Sequence, residues 1–157
     1  MAIQVKHAEA EVKEGWVSIL LLLAMGLCLA WTLQAAQLAE GIGVLQWIVL
    51  GGTLVGLALA RAHVPGLVAH GASAIIGSGI SVYLVSTLLP KGLGFWARML
   101  TMRLRILDWF NQTMGGGESY DLLMFVLFTA LLFWLFTYIA AFAIFRTRFA
   151  WLAIIPN

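Results

Sequence analysis

Two histidines, three acids and a single cysteine are the side chains of this 157-residue sequence best suited to chemistry near or within a membrane. His63 and His70 are seven residues apart, a spacing that sets both on one face of a helix. An imidazole at membrane depth can ligate a metal, a haem iron or the magnesium of a chlorophyll, or relay a proton. However, His63 stands beside Pro65 where a helix would begin, His70 lies only a turn or so further in, and no HxxxH or CxxC pair accompanies them. A specific metal site needs several ligands. Two readings therefore stand side by side: histidines bonded within the protein or at the interface, and His70 or His63 as the ligand of a cofactor.

Glu40, Glu118 and Asp121 are the acids nearest the apolar runs. Ion or proton transport requires ionisable groups at mid-membrane depth, and the absence of acidic or basic residues there disfavours a transporter or channel. Cys28 lies in an apolar run with no histidine near it in sequence, so it reads as a small hydrophobe and not as a nucleophile. A lone cysteine also forms no internal disulfide. Asn111-Gln112-Thr113 fits the N-glycosylation pattern, a three-residue match of low specificity. No catalytic residue emerges, and the chain is read as not an enzyme.

The elements that carry these residues are defined by composition. Hydrophobic residues make up 62% and charged residues 10% of the chain, against about 25% charged in a soluble domain; the mean hydropathy is +0.98. This excludes a soluble enzyme and a disordered tail, and the runs are too long and continuous for the ten-residue alternations of a porin. Four uncharged runs, 15–39, 41–60, 62–90 and 122–145, each reach the length of about 20 residues that crosses a hydrocarbon core. The fold class expected is all-α integral membrane: a four-transmembrane-helix bundle with helices near 16–33, 44–60, 67–88 and 122–145. One interfacial amphipathic helix near 95–112 completes a single membrane domain, 1–157. The apolar stretch 149–155 is too short to span. Lys6 and Lys13 precede the first run as in a signal peptide, but Glu9, Glu11 and Glu14 and the long apolar core argue against cleavage.

Between the third and fourth runs, Arg98, Thr101, Arg105, Asp108 and Gln112 recur every three or four residues and form one polar stripe. The remaining surface is apolar, so Trp96, Arg98, Arg103, Arg105 and Trp109 are the expected interfacial anchors, with Arg103, off the stripe, snorkelling or pairing within the protein. Gly115-Gly116-Gly117 would break that helix, and Glu118 and Asp121 suit the N-terminus of the last one. The net charge of +2 reflects basic residues spread between spans; these are topology signals, and no nucleic acid partner is expected. Five of the basic residues (Lys6, Lys13, Arg61, Arg146, Arg148) favour cytoplasmic termini, and four (Lys91, Arg98, Arg103, Arg105) would then lie outside.

Small residues crowd the third run. Ser73 with Gly77 and Ala74 with Ser78 have the four-residue spacing that lets helices approach closely, as do Gly52 and Gly56 on the second. They serve either packing within this bundle or docking against helices of another subunit. Seven tryptophans and nine phenylalanines fall mostly near expected helix ends, which is the aromatic belt of a membrane protein; the alternative is a surface for stacking a pigment or quinone.

Taken in order, Trp31, Arg61, Gly71, Tyr83, Leu89-Pro90, Arg103-Leu104, Trp109, Asp121 and the run Phe145-Arg146-Thr147-Arg148 with Trp151-Leu152-Ala153-Ile154-Ile155-Pro156-Asn157 resemble the N-terminal membrane domain of bacterial transglutaminase-like membrane proteins of the TgpA type. The resemblance spans essentially the whole chain, and the Phe145–Asn157 run is its most specific part. It implies a bacterial inner membrane, both termini cytoplasmic, and an extracytoplasmic Cys/His/Asp domain that this sequence does not contain, so no catalytic residue carries over.

The expected role is a non-catalytic integral membrane subunit or anchor. Its partners would be membrane lipids and other integral membrane subunits of a hetero-oligomeric complex. One alternative is an accessory cofactor-contacting subunit of a photosynthetic (light-harvesting or reaction-centre) or respiratory complex, touching chlorophyll, carotenoid or quinone. Another is the membrane anchor fragment of a transglutaminase-like enzyme.

Overall fold

In the computed structural model the described residues are 2–62, 64–90, 92–116 and 121–146, with side chains described from Trp16 onward. His63, Lys91, Gly117, Glu118, Arg148, Trp151 and the rest of 147–157 lie outside them, as do the side chains of Lys6 and Lys13. Five helices make up the fold: α1 (Ala2–Ala35), α2 (Val44–Arg61), α3 (Gly66–Ser86), α4 (Phe95–Met114) and α5 (Leu122–Arg146). Four of them have the length and hydropathy to cross a membrane: α1 over Trp16–Ala35, α2, α3 and α5. The protein is an all-α, multi-pass membrane bundle with one further amphipathic helix, α4.

Local chemistry explains the boundaries. α1 begins at Ala2 and not near residue 16, because residues 2–14 are rich in the strong helix formers Ala, Glu, Lys and Gln and contain no proline or glycine. The α1–α2 turn uses left-handed backbone at Gln37 (φ 50°) and Gly41 (φ 81°); a side chain at Gly41 would also run into Leu88. There Gln46 Nε2 donates to Gln34 Oε1 at 2.8 Å, tying the two helices together. Ala62, after α2, and Pro65, before α3, both have extended backbone (ψ 139° and 143°), and the proline ring fixes φ at the start of the helix. The helix ends two residues before the expected Leu88, where Ser86 and Thr87 hydroxyls donate back to the carbonyls of Tyr83 and Leu84 at 2.6 Å, just ahead of Pro90. Gly115 and left-handed Gly116 (φ 74°) stop α4. Asp121 opens α5: its Oδ1 accepts the Leu123 N–H at 2.9 Å, satisfying an amide that the helix itself leaves unpaired.

α5 is the hub. It packs along α2 over the largest helix–helix interface and also against α1 and α3, while α4 rests on α3 and the start of α5. The core runs from Leu45, Ile48 and Val49 of α2 through Met124, Leu127, Ala130, Trp134 and Tyr138 of α5 to Ala69 and Val85 of α3. Lipid tails are as apolar as leucine, so this association rests on close van der Waals fit and not on escape from water. Four threonine hydroxyls within the spans are satisfied locally: Thr32, Thr53, Thr129 and Thr137 each donate to the carbonyl four residues earlier at 2.7–2.8 Å. α1 is the most peripheral span, with 11% of its apolar window buried against 39% for α5.

Candidate functional site

The small residues separate into two sets. Gly52 and Gly56 are buried on α2. A Cβ at Gly52 would collide with the Thr137 hydroxyl, and one at Gly56 would stand 2.7 Å from the Tyr138 carbonyl oxygen and 2.9 Å from Ala141 Cβ. Both glycines therefore let the α5 backbone close on α2, which is packing inside the bundle. Ser73 and Gly77 do the same for α3: Trp134 Nε1 donates to Ser73 Oγ at 3.2 Å, and the indole covers Gly77 so closely that a Cβ there would collide with it. One turn on, Ser81 Oγ is buried with no hydrogen-bond partner among the described residues. Ala74 and Ser78 lie on the opposite face and are exposed. Beside them, Cβ positions at Gly71 and Gly79 would meet nothing within 4 Å.

Trp134 corrects one expectation. It sits in the middle of α5, 3% exposed, as a buried packing residue and not as part of an aromatic belt. The indole lies directly over Gly77, and no pattern in the α5 sequence marks that contact. Trp31, Trp47 and Trp96 are exposed near helix ends and Trp16 at the start of the apolar span of α1, as a belt requires.

His70 is exposed and internally bonded: its Nδ1 lies 2.9 Å from the Tyr138 hydroxyl. The two rings meet edge to face at 5.7 Å, and the Phe142 ring lies 4.9 Å from the imidazole and 5.7 Å from the Tyr138 ring, so the three rings form one cluster. Tyr138 was not apparent from sequence, because the partner is 68 residues distant. Nδ1 is engaged, so the remaining ring nitrogen is Nε2. Among the described residues there is no group of three or more His, Cys, Asp and Glu side chains able to hold a metal ion. Cys28 is exposed on α1.

At the same end of the bundle, two arginines are positioned by aromatic rings. Arg61, the last residue of α2, holds its Cζ 5.2 Å from the Trp16 ring of α1 and 5.4 Å from the Phe145 ring of α5. Arg146, the last residue of α5, lies 5.3 Å over Phe142 and donates from Nη2 to the Val64 carbonyl at 2.7 Å. The sequence suggested these residues only as topology markers.

The opposite end is built differently. There Arg105 of α4 pairs with Asp121 at 3.3 Å, bridging α4 to the α5 N-terminus. Met102 is the buried residue of α4, with Ile106 and Trp109 partly buried beside it, and the Trp109 ring meets Phe128 of α5 at 4.6 Å. Arg98 is half-buried, whereas Arg103 is exposed on the side carrying Trp96, Leu100, Leu104 and Leu107. The apolar surface of α4 is thus divided, one strip docked on the bundle and another facing outward. An open depression of about 640 Å³ over the α1–α2 turn, lined by Gln34, Gln37, Glu40 and Ile42 among others, brings together no nucleophile and base.

Comparison of the chain with protein-family models, with curated proteins and with solved structures found no match.

Proposed function

We propose that this chain is a non-catalytic membrane subunit or anchor that packs against other integral membrane helices in a hetero-oligomeric bacterial complex. The outer face of α3 carries the reading. Ala74 and Ser78 are exposed there, between open glycine positions 71 and 79, beside Leu67 and Ile75. The inner face of the same helix uses the same residue types to admit α5, and small residues in lipid are the usual means of close helix approach. The peripheral α1, with most of its apolar span uncovered, offers further surface.

In this reading α4 anchors the chain at one membrane interface through Trp96, Arg103 and the outward apolar strip. The four spans among the described residues put Trp16 and Arg146 on one side, the cytoplasmic side of an inner membrane by the balance of basic residues. The resemblance to TgpA-type proteins supports a specific version, in which the partner is a transglutaminase-like domain continuing the same polypeptide.

The test is gentle solubilisation of the native membrane and identification of what accompanies the chain. Co-purifying membrane proteins that are lost from an Ala74→Leu/Ser78→Leu variant of unchanged melting temperature support a docking subunit. A reading frame running past Asn157 into a Cys/His/Asp domain supports the enzyme-anchor version. A monomer with neither overturns both.

A second reading rests on His70. A hydrogen bond to one imidazole nitrogen is how ligating histidines are commonly oriented, and the Tyr138 contact on Nδ1 is of that kind. An accessory subunit contacting haem, chlorophyll, carotenoid or quinone would show the absorbance of its cofactor in the isolated protein, lost on His70→Ala for an axially ligated group. A colourless, quinone-free preparation decides against it.

A further inference from the structure

We propose that Arg61 and Arg146 form a clamp for the phosphate of an anionic phospholipid. Both terminate apolar spans, and Trp16, which packs against Arg61, begins another, so the guanidiniums stand at the depth where the hydrocarbon gives way to headgroups. Arg61 is the last residue before the α2–α3 turn, and Arg146 reaches that turn through the bond to the Val64 carbonyl.

Neither has an acidic partner among the described side chains, where the one ion pair is Arg105 with Asp121. Chain direction explains why. The carboxylates with described side chains, Glu40, Asp108 and Asp121, belong to the α1–α2 turn, to α4 and to the start of α5, all at the far end of the bundle, while Glu9, Glu11 and Glu14 on the first part of α1 lie outside the described side chains. Helices of this length hold the two ends roughly 30 Å apart, several times the Debye length of about 8 Å, so no charge there offsets the arginines.

Two guanidiniums at span ends, without an acidic partner among the described side chains, supply the donors that a phosphate needs. Arginine presents a planar fork of five N–H groups, suited to bidentate phosphate recognition, and Arg146 commits Nη2 to a carbonyl, leaving its other donors. The rings of Trp16, Phe142 and Phe145 restrict both side chains beforehand, which lowers the entropy lost on binding. The uncapped N-terminus of α3 next to the turn adds positive potential of the same sign.

The experiment is native mass spectrometry of the purified full chain, titrated with phosphatidylglycerol and with phosphatidylcholine of identical acyl chains. Preferential retention of phosphatidylglycerol by about fivefold or more, a difference of about 1 kcal/mol, is the expected result. Arg61→Gln/Arg146→Gln should bring the two lipids to parity, and Arg105→Gln, which removes an already paired cation, should leave the preference intact. Should the double glutamine variant fail to fold, Arg61→Lys/Arg146→Lys keeps the charges but loses the forks, and its preference should fall below that of the parent.

Equal retention of the two lipids by the parent chain overturns the clamp, as does an equal loss on Arg105→Gln. Millimolar glycerol phosphate should not displace the lipid; displacement would assign the site to soluble phosphate instead. The arginine variants should lose the preference equally in a Glu14→Gln background. A loss confined to chains that retain Glu14 would assign the arginines to that carboxylate.

Discussion

The two faces of α3 are built from nearly the same residues and meet different surroundings. Ser73 and Gly77 lie under the Trp134 indole, while Ala74, Ser78, Gly71 and Gly79 face outward with open space beside the glycines. A small residue in a membrane helix is therefore an invitation to close approach, and the invitation is taken up only where another helix brings a side chain of complementary shape. Turning the helix by one residue, 100° of arc, is enough to separate a locked position from an open one. On the inner face glycine is required by a neighbour; on the outer face the chain itself imposes no such requirement.

This contrast is open to direct tests. The largest effect is expected from Gly77→Leu, which drives a side chain into the indole and should destabilise the detergent-solubilised protein by about 3 kcal/mol. Gly71→Leu on the outer face should stay within about 0.5 kcal/mol of the parent in the same thermal melt. Equal tolerance of the two substitutions would erase the distinction between the faces. Next, Gly56→Ala sets a methyl group against α5 backbone, which cannot swing aside as a side chain can, and should cost about 1–3 kcal/mol; the matched control is Gly79→Ala, with no loss expected.

A smaller effect is expected where α5 is loosened without touching α3. Asp121→Ala removes both the cap on Leu123 and the bridge to Arg105, costing about 1 kcal/mol. Amide hydrogen exchange should rise over residues 122–125 while the Trp134 region stays protected; a uniform rise along α5 would mean that the hub opens as one unit. The smallest is Ser73→Ala, which deletes the bond to Trp134 and should lower stability by about 0.6 kcal/mol. Ser78→Ala should be neutral, and a shift equal to that of Ser73→Ala would place both serines in comparable surroundings.

The spans, the amphipathic helix and their order were legible because each depends on local composition: apolar runs of spanning length, a three- and four-residue polar period, and Pro65, Gly115 and Asp121 at boundaries. The extension of α1 back to Ala2 was not anticipated, since charge was taken as the end of the span and the helix simply outruns the apolar window. Among candidate site residues, spacing paired Gly52 with Gly56 and Ser73 with Gly77 but left open whether they pack within the bundle or dock another subunit, and it did not give the exposure of Ala74 and Ser78, because spacing identifies a face and not its neighbour. His63 lies outside the described residues. The partners of His70 and Ser73, Tyr138 and Trp134, are 68 and 61 residues away, beyond any local pattern.

The amino-acid sequence by itself determined that this is a helical membrane protein, where its chain turns and which residues are small, aromatic or charged. Those properties act over a few turns, through hydrogen bonds to nearby backbone and through transfer of side chains into lipid. Only the tertiary structure decided that α5 is the hub, that Trp134 is interior, that Arg105 finds a carboxylate, and that Arg61 and Arg146 rest on aromatic rings at the end remote from Glu40, Asp108 and Asp121. These outcomes depend on which helices lie side by side and in which rotation. In lipid that choice is made by shape fit and close approach between surfaces of nearly equal hydrophobicity, a quantity that no single helix carries alone.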